Sequence, residues 1–277
     1  KLARNAEVLE RFAREARTLA KIQSEHVARV IDVGRLDGGD AYIVMEYLEG
    51  RDLSAVLRDR GRIPPGDAVR WILEACEAVG EAHAVGIVHR DLKPANLFLA
   101  KRKNERTVVK VIDFGIAKAL DSTDPGGHGL ALTKTATLLG SPLYMAPEQV
   151  REAKDVDTRA DIWALGCVLY EMLTGKRAFT GDDVITSVMR DTPDWAALPP
   201  HTPLAIRTLL RRCLEKDPRK RAPHIAIARL EIDEAMTSTG ELVQASDWID
   251  VPALVKAWQL PELLHVLMDD HHVNNPR

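Results

Sequence analysis

His89-Arg90-Asp91-Leu92-Lys93-Pro94-Ala95-Asn96 is the stretch on which the reading of this chain turns. It follows a long helical period over residues 65–85 and precedes a short apolar run at 97–99, so it reads as a loop between a helix and a strand. Those eight residues bring together a guanidinium, a carboxylate, an ammonium and an amide. Singly, Asp91 is no more than a helix cap and Lys93 a solvated charge, but their density in one loop asks for a chemical reason. A second apolar run at 108–112 ends on Asp113-Phe114-Gly115, and a charged turn at 101–106 separates the two runs. Upstream, Val8, Leu9, Phe12, Ala16, Leu19 and Ile22 recur at three- and four-residue steps, which predicts an amphipathic helix carrying Glu15. Extended runs at 27–33 and 42–45 flank the turn signal Asp37-Gly38-Gly39-Asp40 and predict a β-hairpin.

Beyond Gly50 helical periods dominate, at 53–60, 65–85, 158–173, 183–190 and 204–215. The Gly-, Ser- and Thr-rich stretch 121–137 has neither helical nor strand period and predicts a mobile loop suited to regulation. After Arg221 a further helix leads to Thr237-Ser238-Thr239-Gly240, read as a linker, and then to a Trp- and Leu-containing tail that matches no motif. With 277 residues, 45% of them hydrophobic, the chain has the material for a proper core. The net charge of -3 arises from interspersed acids and bases, with a pI near 6.3, so no footprint for nucleic acid or an anionic membrane is present. Cys76, Cys167 and Cys213 are odd in number, far apart and set among apolar residues, which predicts buried thiols in a reducing compartment. No apolar run is long enough to span a bilayer and no signal peptide is recognisable, so a cytoplasmic location is expected of this segment. His83 and His89 read as packed or hydrogen-bonded side chains rather than a metal pair, and Trp195, Trp248 and Trp258 as anchors of the helical part and its tail.

The octet at 89–96 resembles the catalytic loop of the protein-kinase superfamily, which reads H-R-D-L-x-x-x-N, and it matches at every fixed position. The resemblance implies Asp91 as the base that takes or orients the attacking hydroxyl, Asn96 as a Mg²⁺ ligand, and Lys93 as the cation that serine/threonine kinases place against the γ-phosphoryl oxygens. Asp113-Phe114-Gly115 is similar to the family's second metal motif, with Asp113 as the carboxylate ligand and Phe114 packed under the helix that carries Glu15. Gly140-Ser141-Pro142-Leu143-Tyr144-Met145-Ala146-Pro147-Glu148 resembles the end of an activation segment, with Ser141 where threonine is usual. That likeness pairs Glu148 with Arg221 of the Asp217-Pro218-Arg219-Lys220-Arg221 turn, and Asp161-Ile162-Trp163-Ala164-Leu165-Gly166 resembles the family's central helix, which makes Asp161 the anchor of the catalytic-loop backbone. An Arg before the catalytic Asp, here Arg90, implies ordering by phosphorylation, with Ser122, Thr123, Thr133, Thr135 and Thr137 as candidate acceptors.

The stretch from Ile43 to Gly50 is similar to the family's hinge, which makes Met45 the gatekeeper and the backbone of Glu46 and Leu48 the adenine contacts. Phe98 becomes the floor under the ring, and Asp52 either a ribose contact or a helix N-cap. Glu15 falls where the family's αC helix presents a glutamate to the ATP-anchoring lysine. Neither G-x-G-x-x-G-x-V nor V-A-I-K occurs, and both belong upstream of Glu15. Because the sequence opens on Lys1 and is helical almost at once, it reads as cut from a longer protein that carries those strands, and as a weak or inactive enzyme by itself.

The expected fold is α+β and two-lobed: residues 1–48 a truncated small lobe, 49–236 the large helical lobe, and 237–277 an extension of unknown role. The expected activity is transfer of the γ-phosphoryl group of ATP, with Mg²⁺, to protein Ser or Thr hydroxyls, in the style of bacterial kinases of the eukaryotic type. Protein substrates are the expected partners, and self-association would serve autophosphorylation. The alternatives are a pseudokinase that scaffolds or senses nucleotide, and a small-molecule kinase of the aminoglycoside-phosphotransferase type. The latter is disfavoured by Arg90, Lys93 and residues 140–148.

Overall fold

The computed structural model describes residues 6–37, 41–102, 107–114, 141–151 and 156–240. The first helix, α1 (Ala6–Leu19), turns Ala16 and Leu19 into the core and leaves Arg14 and Arg17 outside. Strands β1 (Val30–Arg35) and β2 (Ala41–Met45) follow as the antiparallel pair expected of the hairpin. The first of these starts later than its apolar run suggested. Val27 instead makes a single parallel bridge to Val111, because the edge of another strand offers it free backbone groups.

That other strand belongs to a three-stranded antiparallel sheet of β3 (Gly50–Asp52), β4 (Leu97–Lys101) and β5 (Thr107–Val111). β3 has no apolar alternation to announce it, and its residues fall between the hinge-like stretch that ends at Gly50 and the predicted cap at Asp52. Its entry depends on Gly50, at φ 149°, where a Cβ would lie 2.0 Å from the Leu99 carbonyl oxygen. The outer edge of β5 is sealed by side chains and a turn in place of another strand. Arg70 donates to the Thr107 carbonyl at 3.2 Å, Glu74 accepts the Val109 amide at 2.7 Å, and the His26 ring donates to the Val109 carbonyl at 3.0 Å. Backbone bonds between Val111 and residues His26 and Ala28 finish the edge.

The helical part begins with α2 (Leu53–Arg60), capped by the Asp52 carboxylate on the Ala55 amide, and α3 (Pro65–Ala84), whose first residue is a proline that needs no donor. After the short α4 (Pro147–Arg151) comes α5 (Arg159–Thr174), buried at every position from Ala160 to Tyr170. A helix buried all round is the centre of a lobe, and α3 and α7 (Leu204–Cys213) both pack on it. Gly166 permits the close approach, since a Cβ there would sit 2.7 Å from that of Cys213. α6 (Val184–Arg190) starts on an Asp183 cap, and a second cluster built on Trp163 and Phe179, stacked at 5.2 Å, lies on its side of the lobe.

The last helix, α8 (Ile225–Gly240), runs straight through Thr237–Gly240, which corrects the linker reading. Ser and Thr are mediocre helix formers but do not stop a helix already propagating. By contacts, Lys1–Ala235 forms one unit and Met236–Arg277 another, of which only the final turn of α8 is described.

Candidate active site

The loop 89–96 takes its shape from beneath. Asp161, in the first turn of α5 and fully buried, accepts the His89 and Arg90 amides and the His83 ring nitrogen Nε2, each at 2.8 Å. A carboxylate only accepts, so His83 must be the donor. Its other nitrogen, Nδ1, is buried without a hydrogen-bond partner among the described residues. Three N–H groups offset the cost of burying the charge. They also tie down the Arg90 amide at φ 63°, a left-handed conformation uncommon for a non-glycine residue. The second tie is Gln149, whose amide donates to the Arg90 carbonyl at 2.9 Å.

His89 is fully buried, and burial pushes its pKa below the ordinary value even though the Asp161 and Asp91 carboxylates pull the other way. The ring is therefore neutral, and its two nitrogens have distinct tasks: Nδ1 accepts the Asp91 amide at 3.3 Å, and Nε2 donates to the Ile112 carbonyl at 3.0 Å. Phe114 is buried in the same core cluster as Ala16 and Leu19 of α1, with its ring 4.7 Å from His89. One imidazole thus couples residues 89–91 to residues 112–114.

On that platform the Asp91 carboxylate meets Lys93 Nζ at 2.8 Å, with the two side chains 17% and 24% exposed. Asn96 ends a 3₁₀ turn at Pro94–Asn96 and donates its amide to the Asp91 carbonyl at 2.8 Å, which leaves its Oδ1 without a partner among the described residues. Asp113 is exposed at φ 54°, again left-handed. Asn96 and Asp113 supply two hard oxygens and no more, and no cluster of three ligating side chains occurs among the described residues. That donor set suits a hard divalent cation that keeps several waters and completes its shell with phosphate oxygens. Gly115 and the five candidate phospho-acceptors lie outside the described residues.

The remaining predicted positions lie at the end of β2 and just after it, on β3 and β4, and on α1. Met45 closes that strand, half-buried. The Glu46 carboxylate accepts the Arg29 amide at 2.8 Å and Lys110 Nζ at 2.7 Å. Burial raises its pKa, but these donors outweigh that and hold it below the usual carboxylate value. The Glu46 carbonyl and the Leu48 amide make no hydrogen bond among the described residues. Asp52 serves as the α2 cap, the second of its two readings; burial works against its ionisation, but bonds from Ser54 and Ala55 prevail and its pKa is lowered. Phe98 pairs across the ladder with both Asp52 and Lys110. Glu15 sits half-buried on α1. Lys110 and the ring of His83 were not singled out as site residues. The sign for Lys110 was a lone cation inside the apolar run 108–112.

Around the site, Arg221 forms a two-pronged bond to Glu148, at 2.6 and 3.0 Å, while lying over Trp163. The three cysteines are buried free thiols, and Trp195 packs edge-on against Tyr170. Among the described residues no helix is long and apolar enough to cross a membrane.

The family description that fits the sequence is the protein kinase domain, matched over residues 1–231. Serine/threonine-protein kinase pkn3 of Myxococcus xanthus is 37% identical over 222 residues, which cover 76% of this chain and 39% of that protein. Serine/threonine-protein kinase PknB of Mycolicibacterium smegmatis is 42% identical over 187 residues, 66% of this chain and 28% of that one. The chain thus spans well under half the length of these curated relatives. A double mutant of the Mycobacterium tuberculosis PknI kinase domain superposes with a TM-score of 0.63 at 26% identity, over 84% of this chain and 81% of that one. Rad53 1-466 in complex with AMP-PNP gives 0.64 at 25% identity, over 79% and 53%.

Proposed function

The chain belongs to the protein kinase domain family, and on that premise we propose that it transfers the γ-phosphoryl group of ATP to serine or threonine hydroxyls of proteins. The observation that carries this reading is the Asp91, Lys93 and Asn96 group gathered on a loop pinned by Asp161. The relatives named as serine/threonine kinases support it.

In this reading Asp91 orients the hydroxyl and accepts its proton as the oxygen bonds to the γ-phosphorus; the bond to the bridging oxygen breaks and ADP departs. Lys93, already against Asp91, offsets charge on the transferred group. Asn96 and Asp113 hold Mg²⁺, which when bound neutralises phosphate charge. Met45, Phe98 and the free main-chain groups of Glu46 and Leu48 receive the adenine, and Glu15 stands on α1 where the family presents a glutamate to the nucleotide side. Asp52 reaches the ribose only with the oxygen that its cap leaves available.

Arg90 is the receptor for a phosphorylated residue within 121–137, formed by autophosphorylation. In support, its Nε is buried without a partner among the described residues, and its Nη2 makes only a long 3.5 Å bond to the Val156 carbonyl. Peptide mass spectrometry of the protein incubated with ATP should find phosphate between residues 113 and 148.

The main test is phosphate incorporation into a Ser/Thr protein substrate by the full-length protein and its Asp91→Asn variant. The variant should be slower by about 10² to 10⁴, and equal rates would sink the mechanism.

A further inference from the structure

We propose that Lys110 is a positioning residue for the nucleotide: by holding the Glu46 carboxylate it fixes the main chain that meets the adenine, an inference resting on the kinase reading above. Residues 46–49 have no regular secondary structure, so no ladder or helix sets their geometry. What holds Glu46 is a small set of polar bonds. Its amide donates to the Arg29 carbonyl at 2.9 Å, its carboxylate takes the Arg29 amide at 2.8 Å, and Lys110 Nζ closes on the same carboxylate oxygen at 2.7 Å. Lys110 also reaches the Val27 carbonyl at 3.3 Å. One ammonium therefore ties together β5, the turn before β1 and the residue that leaves β2.

The pair is protected from solvent, with the Lys110 and Glu46 side chains 17% and 24% exposed, so salt and water screen it less than a surface bridge. Its place in the sheet gives it a role. Asp52 is directly opposite Phe98, and Phe98 directly opposite Lys110, so the three side chains form one row on one face. That row runs from the α2 cap, through the proposed adenine floor, to the clamp on Glu46. The Glu46 carbonyl and the Leu48 amide, one acceptor and one donor two residues apart, are the groups the clamp leaves open. They match the donor and acceptor edge of a purine, provided that their directions are fixed before binding. Without Lys110 the carboxylate keeps one donor, the main chain from Glu46 to Leu48 can rotate, and each binding event must order it again.

The experiment titrates a fluorescent non-hydrolysable ATP analogue into the full-length protein and its Lys110→Met and Lys110→Arg variants, with steady-state kinetics and melting temperature alongside. Lys110→Met should bind the analogue roughly tenfold more weakly and raise KM for ATP by a similar factor, with kcat at saturating ATP within about twofold. Lys110→Arg, which keeps the charge, should recover most of the affinity. A Lys110→Met protein that melts earlier yet binds as tightly as the parent overturns the clamp and leaves the kinase reading standing. So does a variant whose kcat falls while its dissociation constant is unchanged. Should Lys110→Met not fold, Glu46→Gln removes the charge but keeps an acceptor for Arg29, and the same tenfold loss is required of it. Absence of analogue binding by the unmodified protein overturns the kinase reading, and this inference with it.

Discussion

His89 makes the loop sensitive to acid. Its folded pKa lies below the ordinary 6.5, so as pH falls through 6.5 the unfolded chain takes up a proton that the folded chain refuses. The contribution is fully present above that value and is lost below it, at a slope of at most about 1.4 kcal/mol per pH unit. Urea denaturation between pH 7 and 5 should show this slope, and a His89→Phe variant should lose that part of it. Asp161→Ala tests the platform itself. Removing the acceptor strands two backbone amides and the His83 ring in a dry site, with an expected loss of about 3 kcal/mol or more in the same assay and a relaxed Arg90. At this scale the sequence named Asp91, Lys93, Asn96, Asp113 and Asp161, since each stands at a fixed place in a motif. It did not reveal what His83 holds, because 78 residues separate it from Asp161 and only folding brings them together.

Helices were the legible elements. Their apolar stripes repeat over many residues, and α2, α3, α5, α6 and α7 all begin within one residue of the positions that periodicity predicts. β3 was not, for a strand of three residues, Gly50–Asp52, carries no period to read. Its test is Gly50→Ala. A methyl group cannot share space with the Leu99 carbonyl oxygen, and φ 149° disfavours any side chain, so β3 must lift from β4. A loss of roughly 1 to 3 kcal/mol is expected by thermal or urea unfolding, together with weaker nucleotide binding, because Asp52 and Phe98 shift with the strand. The same reasoning explains Thr237–Gly240: local composition suggested a break, but a helix under way needs a stronger signal than Ser and Thr to end.

Across the large unit, long-range polar bonds join segments that are remote in sequence. Glu148 and Arg221 are 73 residues apart, and the guanidinium is fully buried. Arg221→Met leaves the carboxylate without its partner and should cost roughly 3 to 5 kcal/mol, measured by urea denaturation, while a Glu148→Gln/Arg221→Met double variant should recover part of the loss. Asp161 joins α5 to residues 89 and 90 in the same manner, and Gln149 reaches Arg90 from α4. The loop therefore receives part of its shape through space, from segments remote in sequence. It should then keep that shape when covalent continuity between residues 115 and 140 is lost. A protease site engineered into that stretch and cut after folding should yield two fragments that co-elute as one species, with the loop geometry surviving the scission.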